Sequence, residues 1–336
     1  MRKIDVFNHI FPPAYVEGMQ RVAPAFKDAG KRVRGVPMLA DLDVRFRVMD
    51  AFDGYQQILS IATPPIEALA SPSDAVDLAR RANDGMAELV TKHRDRFPGF
   101  IAALPMNNPE AAVTENVRAV KELGARGIQI FTNVRGKPIV APEFLPIFET
   151  MAGFDLPIWL HPYRGADSPD YKTEDRSLYE IWWTFGWPYE TSVAMARMVF
   201  EGLFDRFPNL KIITHHMGAM APFFEGRLGP GMDQLGARTS DEDYTVVLKR
   251  LKKRPLDYFR MFYADTALFG AYDATVCGLS FFGVDKVLFA SDSPFDPEKG
   301  PMYIRETIKI IDRLPISTAD RERIYSGNAI RLLKIA

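Results

Sequence analysis

The sequence predicts a (β/α)8 barrel, and three observations carry that prediction. Apolar, β-rich runs alternate with amphipathic helical stretches along the 336 residues, the pattern of a parallel α/β domain. Eight such runs can be distinguished. Several end on a histidine or an aspartate as a loop begins, which in a parallel barrel is the face where active sites are built.

In order, the strand candidates are residues 4–9, 56–62, 99–104, 127–131, 157–161, 211–215, 261–264 and 286–291. Between the third and fourth, residues 109–123 place Ala112, Val113, Val117, Val120 and Leu123 on one helical face. After the fifth, residues 191–204 do the same with Val193, Met195, Ala196, Val199 and Leu203, and Asp205-Arg206-Phe207-Pro208-Asn209 stops them. Three segments exceed a minimal barrel: 11–41 after strand one, 163–190 after strand five with Trp182, Trp183 and Trp187, and 222–243 after strand six. All three fall on the catalytic side, where added loops build substrate lids or oligomer contacts. No repeat or linker divides the chain, so residues 1–336 read as one domain.

Composition narrows the function. A formal charge of −1 and the lack of a basic run give no electrostatic basis for nucleic-acid binding. No stretch is long and apolar enough to span a bilayer, and Met1-Arg2-Lys3-Ile4-Asp5 enters a strand without a signal-like segment. The single cysteine, Cys277, excludes an internal disulfide and suits a reducing compartment. These points predict a soluble, cytoplasmic protein.

Of five histidines, His9, His161 and His216 lie at the ends of strands one, five and six, and Asp292 ends strand eight. Imidazole and carboxylate are the ligands that zinc and related divalent ions take. His215 and His216 are neighbours, so alternation along a strand sends them to opposite faces. His93 sits in a charged helical segment, and Asp265 and Thr266 end strand seven without an assigned role.

The motifs carry a resemblance. Ile4-Asp5-Val6-Phe7-Asn8-His9-Ile10-Phe11-Pro12 opens the series, and Asp43-Val44-Arg45-Phe46-Arg47-Val48-Met49-Asp50 follows. Leu160-His161-Pro162, Phe207-Pro208-Asn209-Leu210-Lys211 and His216-Met217-Gly218, with Pro222 and Arg227, continue it. Ser291-Asp292-Ser293-Pro294-Phe295 and Gly327-Asn328-Ala329-Ile330-Arg331-Leu332-Leu333 close it. In this order they resemble the amidohydrolase superfamily, in the branch of aminocarboxymuconate-semialdehyde and γ-resorcylate decarboxylases.

That resemblance implies His9, His161 and Asp292 as ligands of one divalent metal, zinc first and manganese second, with no organic cofactor. It implies His216 and Asp292 in catalysis. Arg45 and Arg227 match arginines that hold a substrate carboxylate, the second reaching a neighbouring subunit, and Trp183 matches a tryptophan near the substrate ring. A small aromatic or unsaturated carboxylic acid, non-oxidative decarboxylation and a dimer or tetramer follow. Strand four, Gly127-Ile128-Gln129-Ile130-Phe131, lacks the lysine of binuclear relatives. One departure stands out: the family opens His-x-His or Glu-x-His, and here the first position is Phe7, which cannot ligate. Phe7 is then a candidate wall of the substrate pocket. Metal-independent hydrolysis of a lactone or amide, hydration on the same scaffold, and a barrel without catalysis are the alternatives.

Overall fold

A computed structural model describes residues 1–24 and 29–336. Among the described residues, eight parallel strands ring the centre in chain order. β1 is Lys3–Ile10, β2 is Tyr55–Ile61, and β3 comes in two pieces, Gly99–Phe100 and Ala102–Ala103. β4 (Ile128–Phe131), β5 (Ile158–His161), β6 (Ile212–Thr214), β7 (Tyr263–Asp265) and β8 (Val287–Leu288) complete it. The break in β3 splits the ring into sheets of three and six strands. The backbone spans that break, since Ile101 N–H donates to Leu59 O and Ala102 N–H to Gly127 O, each at 2.9 Å.

The ring closes between the first strand and the segment that follows β8. Val6 N–H donates to Phe289 O and Asp292 N–H to Phe7 O, both at 3.0 Å, and His9 N–H donates to Ser293 O at 2.9 Å. The expected eighth strand, 286–291, is thus regular only over Val287–Leu288. The remainder still lies along β1, but the left-handed Asp292 (φ 62°) bends it away from strand geometry.

Two cores follow from this closure. Ile4, Val6, Phe7, Ile58, Ile101, Trp159, Ile213, Leu288 and Ala290 fill the barrel, with Leu332 and Leu333 packed against them. Outside, Leu59, Phe100, Ile130, Leu160 and Ile212 pack against helix residues such as Leu78, Met86, Phe148 and Met195. Strands covered on both faces are apolar throughout, which is why they read as continuous runs.

Helix starts follow local chemistry. Asn108 caps Pro109–Lys121 by accepting from Ala111 N–H, and Ser71 caps Pro72–Lys92 by accepting from Asp74 N–H. The helix expected over 191–204 begins earlier and ends earlier, at Gly186–Phe200, because Gly202 adopts φ 73° and breaks it before the short helix Leu203–Arg206. The first insertion forms the helices Pro13–Val22 and Ala29–Arg34, with 25–28 outside the described residues. None of the described helices is long and apolar enough to cross a membrane.

Candidate active site

Strand parity decides which side chains reach the open end of the barrel. Trp159 on β5, Ile213 on β6 and Leu288 on β8 belong to the interior core. Residues two places further on point the same way, so His161, His215 and Ala290 face inward, and Asp292 follows Ala290. Leu160 pairs with Thr214, and Thr214 with Ala264. One step beyond that register, His161, His215 and Asp265 stand side by side.

β1 reaches the same level through a bulge. Asp5 pairs with Gln57 but Asn8 with Leu59, which leaves one extra residue in β1. Ile4 and Val6 face the interior before it, and Phe7 and His9 after it. An unbroken alternation from Ile4 would have turned His9 outward. Bulges commonly re-aim a side chain beside an active site in this way.

The result is a cluster around Asp292. Its Oδ1 lies 3.0 Å from His9 Nε2 and 3.4 Å from His215 Nε2, and its Oδ2 lies 3.8 Å from His216 Nε2. Ligand-capable atoms of His9, His161 and His215 fall within 4.8 Å of one another. The remaining ring nitrogens are occupied by the protein. His9 Nδ1 contacts Ile61 O at 3.1 Å, His161 Nδ1 contacts Pro162 O at 2.7 Å, and His215 Nδ1 contacts Asp265 Oδ2 at 2.5 Å.

The sequence-based choice of His216 alone for the barrel mouth is therefore corrected: the structure brings both neighbours to Asp292. β6 ends at Thr214, and His216, Met217, Gly218 and Ala219 all take positive φ. Alternation stops where the strand stops, and the chain doubles back over its own end. A Cβ on Gly218 would sit 2.5 Å from the Phe282 ring, so the turn needs glycine there. Asp265 holds this turn, accepting His216 N–H and Ala267 N–H at 3.0 Å each.

Electrostatics couple the groups. Burial raises the Asp292 carboxyl, but the His215, His216 and His9 rings beside it hold it well below the usual carboxylate range. His215 is opposed by burial and lifted to about 9 by the Asp265 and Asp292 carboxylates. Burial and the neighbouring His215 push His216 down, and the same two causes, with His9, push His161 down further. Two carboxylates thus bracket His215, while His161 and His216 are held below the usual imidazole range.

Aromatic rings wall it. Phe7 is fully buried, its centroid 4.0 Å from that of His215 and 5.2 Å from that of His9. Phe131 and Trp187 lie 4.9 and 5.6 Å from His161, Phe295 lies 5.6 Å from His9, and Phe269 lies 5.4 Å from His216.

Arg45 and Trp183 are held by partners outside the His/Asp cluster, and Arg227, expected to serve a neighbouring subunit, lies away from its own chain's cluster. Arg45 is completely buried, and its guanidinium donates to Asn8 Oδ1, Gln57 Oε1, His9 O and Met38 O. It supports the backbone of His9 from behind, with no ion pair to Asp43 or Asp50 among the described residues. Trp183 is 37 % exposed with its indole N–H on Glu180. Trp187, which sequence reasoning noted only as part of the insertion, is the tryptophan that touches His161. Arg227 is exposed and stacks over Phe224, outside this chain's own cluster.

Known proteins share this architecture. The family model described as "Amidohydrolase" matches residues 9–335. γ-Resorcylate decarboxylase of Polaromonas sp. (strain JS666) is 34% identical over 300 residues, covering 87% of either chain. The 2-amino-3-carboxymuconate-6-semialdehyde decarboxylase of Dictyostelium discoideum is 32% identical, over 87% of this chain and 76% of that one. A crystal structure of a dihydroxybenzoic acid decarboxylase from Polaromonas sp. JS666, with bound manganese and the inhibitor 2-nitroresorcinol, superimposes with a TM-score of 0.76. It is 30% identical and covers 99% of this chain and 97% of that one. With the motif order, the barrel and the cluster at its mouth all in agreement, the chain belongs to the amidohydrolase family.

Proposed function

We propose that this protein is a metal-dependent, non-oxidative decarboxylase of a small aromatic carboxylic acid. The observation that carries the reading is a buried His/Asp cluster inside an aromatic collar, in a chain whose curated relatives are decarboxylases. His9, His161 and Asp292 are the residues that would hold the metal. They fit it: in both histidines Nδ1 is taken by a backbone carbonyl, which fixes the tautomer that leaves Nε2 as a lone-pair donor. Manganese or zinc suits such a nitrogen and oxygen set, and a bound ion supplies Lewis-acid polarisation of substrate oxygens.

The protein's own groups account for the rest. Phe131, Trp187, Phe269 and Phe295 offer flat apolar contacts to a planar ring. Loss of CO₂ from an aryl carboxylate breaks the ring-carbon to carboxylate bond and places a proton on that carbon. Asp292 Oδ2 and His216 Nε2, 3.8 Å apart, are positioned to share that proton. His216, the more exposed of the pair of adjacent histidines, would hydrogen-bond where charge develops on the ring.

Self-association belongs to the same reading. Phe185, Tyr189 and Val193 recur every four residues and are 69, 53 and 37 % exposed, an apolar stripe of the kind that marks a contact surface.

The test is CO₂ release from 2,6-dihydroxybenzoate and related hydroxybenzoates by metal-loaded protein. Asp292→Asn and His216→Asn should each lose at least about 100-fold in kcat. Only Asp292→Asn should also lower metal content. Consumption of substrate with uptake of water and no CO₂ would replace this reading with hydrolysis or hydration.

A further inference from the structure

We infer that His215 is a fourth protein ligand of the metal, filling from β6 the coordination position that Phe7 leaves empty on β1, with Asp265 as the residue that positions it. The inference rests on the proposal that His9, His161 and Asp292 hold the ion. It departs from the family's opening pattern, in which both paired positions of strand one would ligate.

Four observations meet at His215. Its side chain is completely buried, and its Nε2 has no hydrogen-bond partner of acceptable geometry among the described residues. A buried ring nitrogen left without a partner is costly unless something is meant to occupy it. Spacing around Asp292 agrees: an ion holding ligands at about 2.1 Å in a tetrahedron separates them by about 3.4 Å. Asp292 Oδ1 lies 3.0 Å from His9 Nε2 and 3.4 Å from His215 Nε2, and the three histidines' ligand atoms lie within 4.8 Å of one another.

Orientation agrees as well. Asp265 Oδ2 takes the Nδ1 proton at 2.5 Å, while Oδ1 is fixed by two backbone N–H groups. A carboxylate behind a ligating histidine sets its tautomer and aim. Finally, the Phe7 ring lies 4.0 Å from the His215 ring, tilted by 56°. The two side chains adjoin at the centre of the barrel, so an imidazole arriving from β6 serves the place that a side chain from β1 would serve. His216 is not required for this set and keeps its place beside the substrate.

The experiment loads the full-length protein with zinc alone, counts imidazoles by X-ray absorption, and measures affinity by competition with a chelator. About one zinc with three imidazoles is expected. Asp265→Asn should weaken binding by about 10–100-fold, and His215→Ala by more than that. Adding Phe7→His to His215→Ala should recover affinity toward the wild type, which a merely structural His215 would not allow. If His215→Ala does not fold, by circular dichroism, the wild-type imidazole count decides alone. Two imidazoles, or unchanged affinity in a folded His215→Ala, overturns the inference while leaving the three-ligand site standing. Wild-type protein that binds no zinc overturns both.

Discussion

Glu67 shows how burial sets protonation in this barrel. It sits in the short helix Ile66–Leu69 after β2, 3 % exposed, and its Oε1 has no hydrogen-bond partner among the described residues. Burial pushes its carboxyl from an ordinary 4.5 to about 8. The folded protein therefore holds a proton that the unfolded chain releases between those values, so stability falls as pH rises through that window and levels off above it. The slope is up to about 1.4 kcal/mol per pH unit. Glu67→Gln should flatten the decline in urea midpoint between pH 5 and 8, leaving the smaller contribution of Asp5, which burial raises to about 6. An unchanged profile would mean that water reaches Glu67. At this scale the sequence was partly legible. His161 and Asp292 stand where a strand gives way to a turn. His215 was hidden because Ile212 and Ile213 are both apolar and both buried, so nothing in the pattern tells which faces inward. The doublet beside Met217-Gly218, with an aspartate ending the adjacent strand, was the available signal.

β1 is the element on which the site turns. Its ends were readable from Ile4 to His9, but the bulge was not, since no glycine or proline marks it. It comes from packing: Trp159 Nε1 donates to Val6 O at 3.0 Å across the barrel, at the residue where the register slips. Trp159→Phe removes that donor and also shrinks the largest fully buried side chain of the barrel interior. We expect a loss of about 1–3 kcal/mol in chemical denaturation, with weaker metal binding because His9 loses its fixed aim. Wild-type stability would show that the bulge is held by its strand neighbours alone. The other strands were placed by their apolar runs, and their ends moved by one or two residues where loops take over. Arg45 illustrates the converse error. A motif match assigned it to substrate, whereas the helix Leu42–Met49 carries it beneath β1 and completely out of contact with solvent.

At the scale of the whole molecule, the barrel closes by joining the two ends of the chain. His9 and Asp292 are 283 positions apart in sequence and 3.0 Å apart at that junction. An ion held by both would tie nearly the entire polypeptide into one loop, much as a cross-link does. The longer the loop so closed, the more configurational freedom is removed from the unfolded chain. The metal would thus be a structural clasp as well as a reagent. At a free concentration a hundredfold above its dissociation constant, binding adds about 2.7 kcal/mol to stability, or a Tm higher by roughly 4 °C for a chain of 336 residues. Stripping the ion should lower Tm by that amount and speed amide exchange first along β1 and residues 289–293, while the β4–β5 pair stays protected. Equal melting with and without metal would mean that the junction is already rigid. If the clasp acts as described, a folding intermediate with strands two to seven formed and the ends still apart would be the last species before the site exists, and metal supply would then pace the final step of maturation.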